Sequence, residues 1–350
     1  MASATTILSA YALPGRDADS RLAITHAIEA ERIGMGSIWL SERWEGKEAG
    51  VLCGAIAQTT RQIRIVAGLI HFTGRHPLVT AGLGATMQRL SGNRFAMGVG
   101  RSSPERLRRQ GFQVFDIAHM RDYARLLRRI WAGENVSYEG VLGTFHGLEL
   151  LQVPQMAPPL ILGATGPRTL ALGGEIFDGV VLHPFLTTEG TRRSIEIVRS
   201  SSIDAGRDPA AVKITACVVT APDFLTPAER SKTLEARAMT YFRSPLLGGA
   251  IAKMNGWNLA PLQAVADANI LGLEPRGADA EQVIERWAEA AGALPPEWLS
   301  EGAAVGTVDD CADRLLEYKE AGADEILIHG TTPERLGPIA KAFAQRAAPG

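Results

Sequence analysis

Cysteine is scarce in this chain: its three residues, Cys53, Cys217 and Cys311, stand far apart with no paired spacing. That argues against a disulfide framework or a cysteine-based zinc site and suits a reducing cytoplasm. Converging His-carboxylate clusters and His-x-x-x-His spacings are lacking too, so no metal is expected. Charge of one sign is also missing. Against 36 Lys and Arg stand 38 Asp and Glu, a net charge of −2, and no long basic run occurs; nucleic acid is therefore not the expected partner. No segment approaches the roughly 18 apolar residues of a membrane span. The opening MASATTILSAYALPG has neither the basic start nor the long apolar core of an export signal. The expectation is a soluble cytoplasmic protein with no membrane partner. No repeat, low-complexity run or linker marks a second independent domain.

What the chain does have is length and apolar content. Its 350 residues, 46% hydrophobic, can bury a large core. The stretch from Ile63 to Glu105 organises the reading. Ile63, Ile65, Val66 and Leu69 form a mostly apolar run of strand type. Pro77 then opens a helix with Val79, Leu83, Met87 and Leu90 at helical spacing, which Ser91-Gly92-Asn93 ends. Phe95 to Gly98 is the next strand.

The same alternation runs through the rest. A strand is expected at Thr5 to Ala10, followed by turn residues Leu13 to Asp17 and a helix from about Asp19 with Leu22, His26, Ala30 and Ile33 on one face and Gly34 as its stop. Ser37 to Leu40 is a strand and Lys47 to Thr60 a helix. Tyr123, Leu126, Leu127, Ile130 and Trp131 form a helical stripe backed by Arg121, Arg125, Arg128 and Arg129. Residues 133–159 are turn-rich and suit a short hairpin. Strands follow at Leu160 to Leu162, Val180 to Leu182, Lys213 to Thr220 and Glu325 to Ile328, with helices between them. Eight strands, near residues 5, 37, 63, 95, 160, 180, 213 and 325, point to a single (β/α)8 TIM barrel over residues 1–350. A helical insertion of about 222–305 falls between strand seven and the last helix–strand unit.

A TIM barrel keeps its chemistry at the C-terminal ends of its strands. The residues there are Glu42 and Arg43, Gly68 to His71, Gly98 to Ser103, Gly163 to Gly166, His183 and His329, a concentration that suits a small-molecule enzyme. Gly163-Ala164-Thr165-Gly166-Pro167-Arg168 is the phosphate candidate, since backbone N–H groups at a helix start attract anions. An ordinary capped helix explains the same pattern. Gly98-Val99-Gly100-Arg101 imitates a dinucleotide motif only in part. Ser103-Pro104-Glu105 reads as a cap and first turn, with Ser102 and Ser103 still able to hydrogen-bond a cofactor. His71, His183 and His329 are acid–base candidates, each equally explained by packing. His76 is expected to be structural. Trp44, Trp257 and Trp298 are candidate pocket walls, or simply core.

The segments RHPLVTA and LSGNRFAMGVGR resemble the signature region of the bacterial-luciferase-like oxidoreductases, particularly the branch that uses the deazaflavin coenzyme F-420; the resemblance extends to the closing GADEILIHG. It implies hydride transfer between F-420 and a small organic substrate. An FMN-dependent monooxygenase supplied by a separate reductase is the alternative, and a non-catalytic flavin-binding barrel a further one. A homodimer is compatible with the resemblance. Aligned from RHP, a non-proline cis peptide would fall at Gly68-Leu69, behind the cofactor ring. The segment Gly163 to Arg168 would contact the cofactor phosphate. Glu42 and Arg43 stand where F-420-dependent sugar-phosphate and alcohol dehydrogenases carry an Asp-His pair, and Ser103 where they carry a catalytic Glu. Arginine cannot take up a proton as that His does. The catalytic candidates are therefore Glu42 and Arg43 for holding charge and His71 for the proton.

Overall fold

The computed structural model describes residues 7–14, 19–270, 273 and 280–347. Among these residues the strands are β1 (Leu8–Tyr11), β2 (Ser37–Leu40), β3 (Arg64–His71), β4 (Phe95–Gly100), β5 (Val136–Gly140), β6 (Gly143–Leu148), β7 (Leu160–Ala164), β8 (Gly179–Leu182), β9 (Lys213–Pro222), β10 (Ala303–Gly306) and β11 (Glu325–His329). Helices α1 (Leu22–Arg32), α2 (Ala49–Thr59), α3 (Pro77–Ser91), α4 (Pro104–Arg109), α5 (Ile117–Trp131), α6 (Pro167–Ile176) and α7 (Thr188–Asp204) lie between the first strands. A lobe then contributes α8 (Pro227–Thr233), α9 (Glu235–Phe242), α10 (Pro245–Asn255), α11 (Pro261–Asp267), α12 (Ala280–Ala290) and α13 (Pro296–Glu301), before α14 (Val308–Glu320) and α15 (Gly337–Ala347).

The strands β1, β2, β3, β4, β7, β8, β9 and β11 pair in that order, all in parallel, and β11 returns to β1. This is the closed eight-stranded barrel expected from the alternation. Thr5 and Thr6 of the expected first strand, and Gly15 to Asp17 of the turn after it, lie outside the described residues. The hairpin in 133–159 is β5 and β6, paired antiparallel. Among the described residues no helix is long and apolar enough to cross a membrane.

The barrel interior is layered. Glu325 forms a polar floor, receiving the hydroxyls of Ser9 and Ser37 and, at 3.0 Å, the indole N–H of Trp39. Above it, one inward residue from each of the seven barrel strands other than β1, Trp39 the largest, makes an apolar layer on which Leu69 and Tyr11 pack. The mouth opens above Leu69.

Three expectations need correction. The helix α3 buries only part of its expected face: Met87 is buried and Leu83 packs on the core, but Val79 is 60% and Leu90 48% exposed, while Ala81, Gly84 and Ala85 are buried. Close packing decides this, since a Cβ on Gly84 would come within 2.7 Å of Trp131. Leu22 of α1 likewise faces solvent, with Ala23, His26, Ala27 and Ala30 buried instead. The lobe is not purely helical. It ends in β10, which pairs in parallel with the second half of β9 from Ala303↔Val219 to Gly306↔Pro222. A run as short as Ala-Ala-Val-Gly carries little strand signal of its own.

Candidate active site

The floor of the mouth is a bulge in β3. This strand keeps register with β4 through Ala67↔Met97 and resumes at Ile70↔Val99, so it holds one extra residue. The Gly68-Leu69 bond within it is cis, as the resemblance implied. Gly68 lies against the indole of Trp39, where any Cβ would overlap the ring. The Leu69 side chain reaches over β4 and β7. Added Cβ atoms on Gly98 and Gly100 would come within 3.0 and 2.7 Å of its methyl groups, and one on Gly163 would overlap them. These glycines therefore make room for Leu69. Gly163 and Ala164 belong to strand β7, and the loop proper is Thr165 and Gly166. The partial dinucleotide motif has its explanation in the same clearance.

Glu42 is buried at the end of β2 and pairs with Arg75. It accepts from Arg75 Nη1 at 2.5 Å, from Trp44 Nε1 at 3.2 Å and from the His71 backbone N–H at 3.3 Å. Its own N–H donates to Leu69 O at 3.1 Å. These bonds tie the ends of β2 and β3 together, which makes Glu42 a positioning carboxylate. Its second neighbour, Arg43, is held by backbone bonds with Lys47, and its charge bears on His71, Tyr11, Tyr241 and His329. His71 lies edge-on to Trp44 with ring centroids 4.6 Å apart. Burial, and then the positive charge of Arg106, push its pKa down to about 4. It is a neutral imidazole at pH 7, with Nδ1 unpartnered.

The start of α6 forms a second feature. Gly166 occupies the N-cap with no side-chain cap, Pro167 follows, and the first turn holds no acid. Arg101 reaches across from the end of β4 to donate to Thr169 Oγ1 at 3.3 Å. Burial, and then the charge of Arg168, lower the Arg101 pKa, so two guanidiniums bear on a helix start that has no side-chain cap. A Cβ on Gly166 meets nothing. Ser102 is half-buried, while the Ser103 hydroxyl caps α4 by accepting from Arg106 N at 3.2 Å.

A third feature was not read from the sequence. The lobe helix α9 places Arg237 and Tyr241, one turn apart, against the end of β11. Arg237 donates to His329 Nε2 at 2.9 Å and to Pro14 O at 3.2 Å, and the Tyr241 hydroxyl lies 3.3 Å from the same ring nitrogen. Tyr11 packs on His329 at 4.7 Å and His183 on Tyr241 at 4.5 Å between ring centroids. Burial first, then Arg237 and Arg43, keep the His329 pKa well below its ordinary value; burial pushes His183 down to about 4. The i, i+4 pairing of Arg237 with Tyr241 was the available signal, but nothing in sequence shows which barrel strand α9 meets. Trp257 and Trp298 are not pocket walls. They stack on each other at 4.7 Å inside the lobe, against Phe242.

Known proteins share this architecture. A 5,10-methylenetetrahydromethanopterin reductase of Methanolobus tindarius is 23% identical, over 88% of this chain and 90% of its own. An F-420-dependent glucose-6-phosphate dehydrogenase of Amycolatopsis mediterranei is 24% identical, over 88% of this chain and 87% of its own. The solved coenzyme F-420-dependent tetrahydromethanopterin reductase of Methanopyrus kandleri superposes with a TM-score of 0.77 at 19% identity, covering 97% of this chain and 96% of that one. The family model for the luciferase-like monooxygenases matches residues 6–325. With nearly its whole barrel inside that match, the chain belongs to the luciferase-like monooxygenase family.

Proposed function

We propose that this protein is an F-420-dependent oxidoreductase acting on a small organic substrate at the mouth of the barrel. The observation that carries the reading is the Leu69 platform, cleared by Gly98, Gly100 and Gly163 and continuous with the uncapped, arginine-flanked start of α6. A planar ring and a phosphate arm need those two features side by side. The names of relatives described as F-420-dependent support the same reading.

When bound, F-420 supplies the hydride donor or acceptor at its C5 position. Gly68 and Leu69 back the ring. The backbone N–H groups of Thr165, Gly166 and Arg168, with the side chains of Arg101 and Arg168, would hold the phosphate; Ser102 and Ser103 line the path between. Glu42 fixes the β2 and β3 ends, so the platform keeps its position during turnover. Arg43 holds charge at the mouth, and His71, neutral near pH 7, exchanges a proton with the substrate directly or through water. The walls of Trp44 and Phe112, packed at 4.4 Å, keep bulk water from the reacting atoms.

The family's monooxygenase name favours FMN with oxygen as a second reading. Side-by-side titration of the purified protein with F-420 and FMN decides between them. F-420 is expected to bind more tightly, and oxygen consumption with reduced FMN would favour the monooxygenase. Binding of either without turnover across a substrate panel would leave a flavin-binding barrel. Barrel and lobe are read as one domain, because β10 is part of the barrel sheet. For assembly the reading is a homodimer through α2 and α3: α2 carries no charged residue, and Val51, on α2, is 72% exposed.

A further inference from the structure

His329 ends β11 with only 8% of its surface exposed, and its two ring nitrogens differ in their surroundings. Nε2 faces Arg237 Nη1 at 2.9 Å. A guanidinium only donates, so Nε2 accepts and the neutral ring carries its proton on Nδ1. Nδ1 is buried and has no hydrogen-bond partner among the described residues. Such a buried donor is costly until an acceptor oxygen meets it.

The charges around it narrow what that oxygen can be. Arg237, Arg43 and Lys47 all act on His329 with the same sign, and both guanidiniums also act on Tyr11 and Tyr241. Arg237 itself forms no ion pair with an acid among the described residues; its side chain donates to His329 and to Pro14 O. A guanidinium beside a buried donor and two tyrosine rings selects a small organic anion over a neutral molecule. This sector also lies across the barrel from the start of α6, since β11 and β1 stand opposite β4 and β7 in strand order.

We infer that the substrate is an organic anion, its charged oxygen taken by the Nδ1–H of His329 in the field of Arg43 and Arg237, with Tyr11 and Tyr241 flanking its carbon frame. This rests on the reading of the Leu69 platform and the α6 start as the cofactor's place. Carboxylates and phosphate esters share the required chemistry.

The test is calorimetric titration of the full chain with benzoate, phenyl phosphate and benzamide, with and without F-420. The better of the two anions should bind at least tenfold more tightly than neutral benzamide, and its identity separates acid from phosphate ester. His329→Gln keeps an acceptor for Arg237 but moves the remaining donor away from the Nδ1 position. It and Arg237→Leu should each weaken anion binding at least tenfold while F-420 affinity stays within twofold. Should His329→Gln fail to fold, Arg237→Leu on the outer lobe carries the same comparison. Benzamide binding as tightly as the anions would overturn the inference. So would anion binding that survives Arg237→Leu but is lost in Gly166→Asp, because the anion would then be at α6. Anion selectivity in a protein that fails to bind F-420 would support the inference and remove only the cofactor assignment.

Discussion

A guanidinium keeps its proton at any pH an enzyme meets, so Arg43 can hold charge at the mouth but cannot accept a proton. Arg43→Ala is expected to lower kcat by roughly 10², the scale of losing one positioned electrostatic donor, with F-420 affinity near that of the parent. Arg43→His should not restore it. Steady-state kinetics paired with cofactor titration make the check, and near-normal turnover in Arg43→Ala would take the residue out of the chemistry. The histidines titrate in the opposite sense to a surface pair. His71 and His183 are both held at a pKa of about 4, chiefly by burial, whereas an unfolded histidine titrates near about 6.5. Between those values the unfolded chain binds protons that the native one refuses, so stability falls as pH drops from about 6.5 towards about 4. Denaturation midpoints from pH 7 to 4 should show that loss, and His183→Asn should flatten it; an identical slope in the variant would assign the acid sensitivity to other groups. Arg43 and His71 could be singled out from sequence because strand ends can be counted. Arg237 could not, because only the docking of α9 brings it to His329.

Glycine carries different meanings at Gly163, within β7, and at Gly166, the N-cap of α6. Gly163 has no room for a methyl group beneath Leu69, and Leu69 is confined by Gly98 and Gly100 as well. Gly163→Ala should therefore destabilise the fold by about 1–3 kcal/mol, the usual scale of overpacking, and weaken cofactor binding with it. Gly166 has open space around its Cα. Gly166→Asp should leave the unfolding midpoint near that of the parent and lower F-420 affinity at least tenfold, about 1.4 kcal/mol, because a carboxylate would stand where an anion is held. Thermal unfolding and cofactor titration on both variants separate platform from phosphate loop. Unchanged affinity in a folded Gly166→Asp would reduce the loop to a helix start. Sequence patterning found the loop, and placed every barrel strand to within a few residues, because apolar β-branched runs bounded by turns are a strong local signal. It misjudged Val79 and Leu90 of α3 for an equally physical reason: periodicity weights large side chains, whereas this helix also packs closely on Ala81, Gly84 and Ala85.

The misjudged face of α3 becomes informative for the whole molecule. Val79 and Leu90 join Val51 of α2 on the outside, next to a helix with no charge of its own. Light scattering on a sizing column should give twice the 37.4 kDa chain mass, and Val51→Glu with Val79→Glu should give the monomer. A parent protein at the single-chain mass would end the dimer reading. Eight strands and their closure were legible because each is fixed by its own local pattern. The lobe's position was not, since it depends on contacts far apart in the chain. Its points of attachment carry a further consequence. The lobe departs at Pro222 and rejoins at Gly306, and these two residues are partners across β9 and β10. A segment whose ends already meet can be lengthened, shortened or exchanged without disturbing the closure of the barrel. Arg237 and Tyr241 ride on that segment, while the Leu69 platform and the α6 start lie outside it. On the proposed reading, one contiguous cassette carries contacts to the substrate, and it can be exchanged without touching the place proposed for the cofactor.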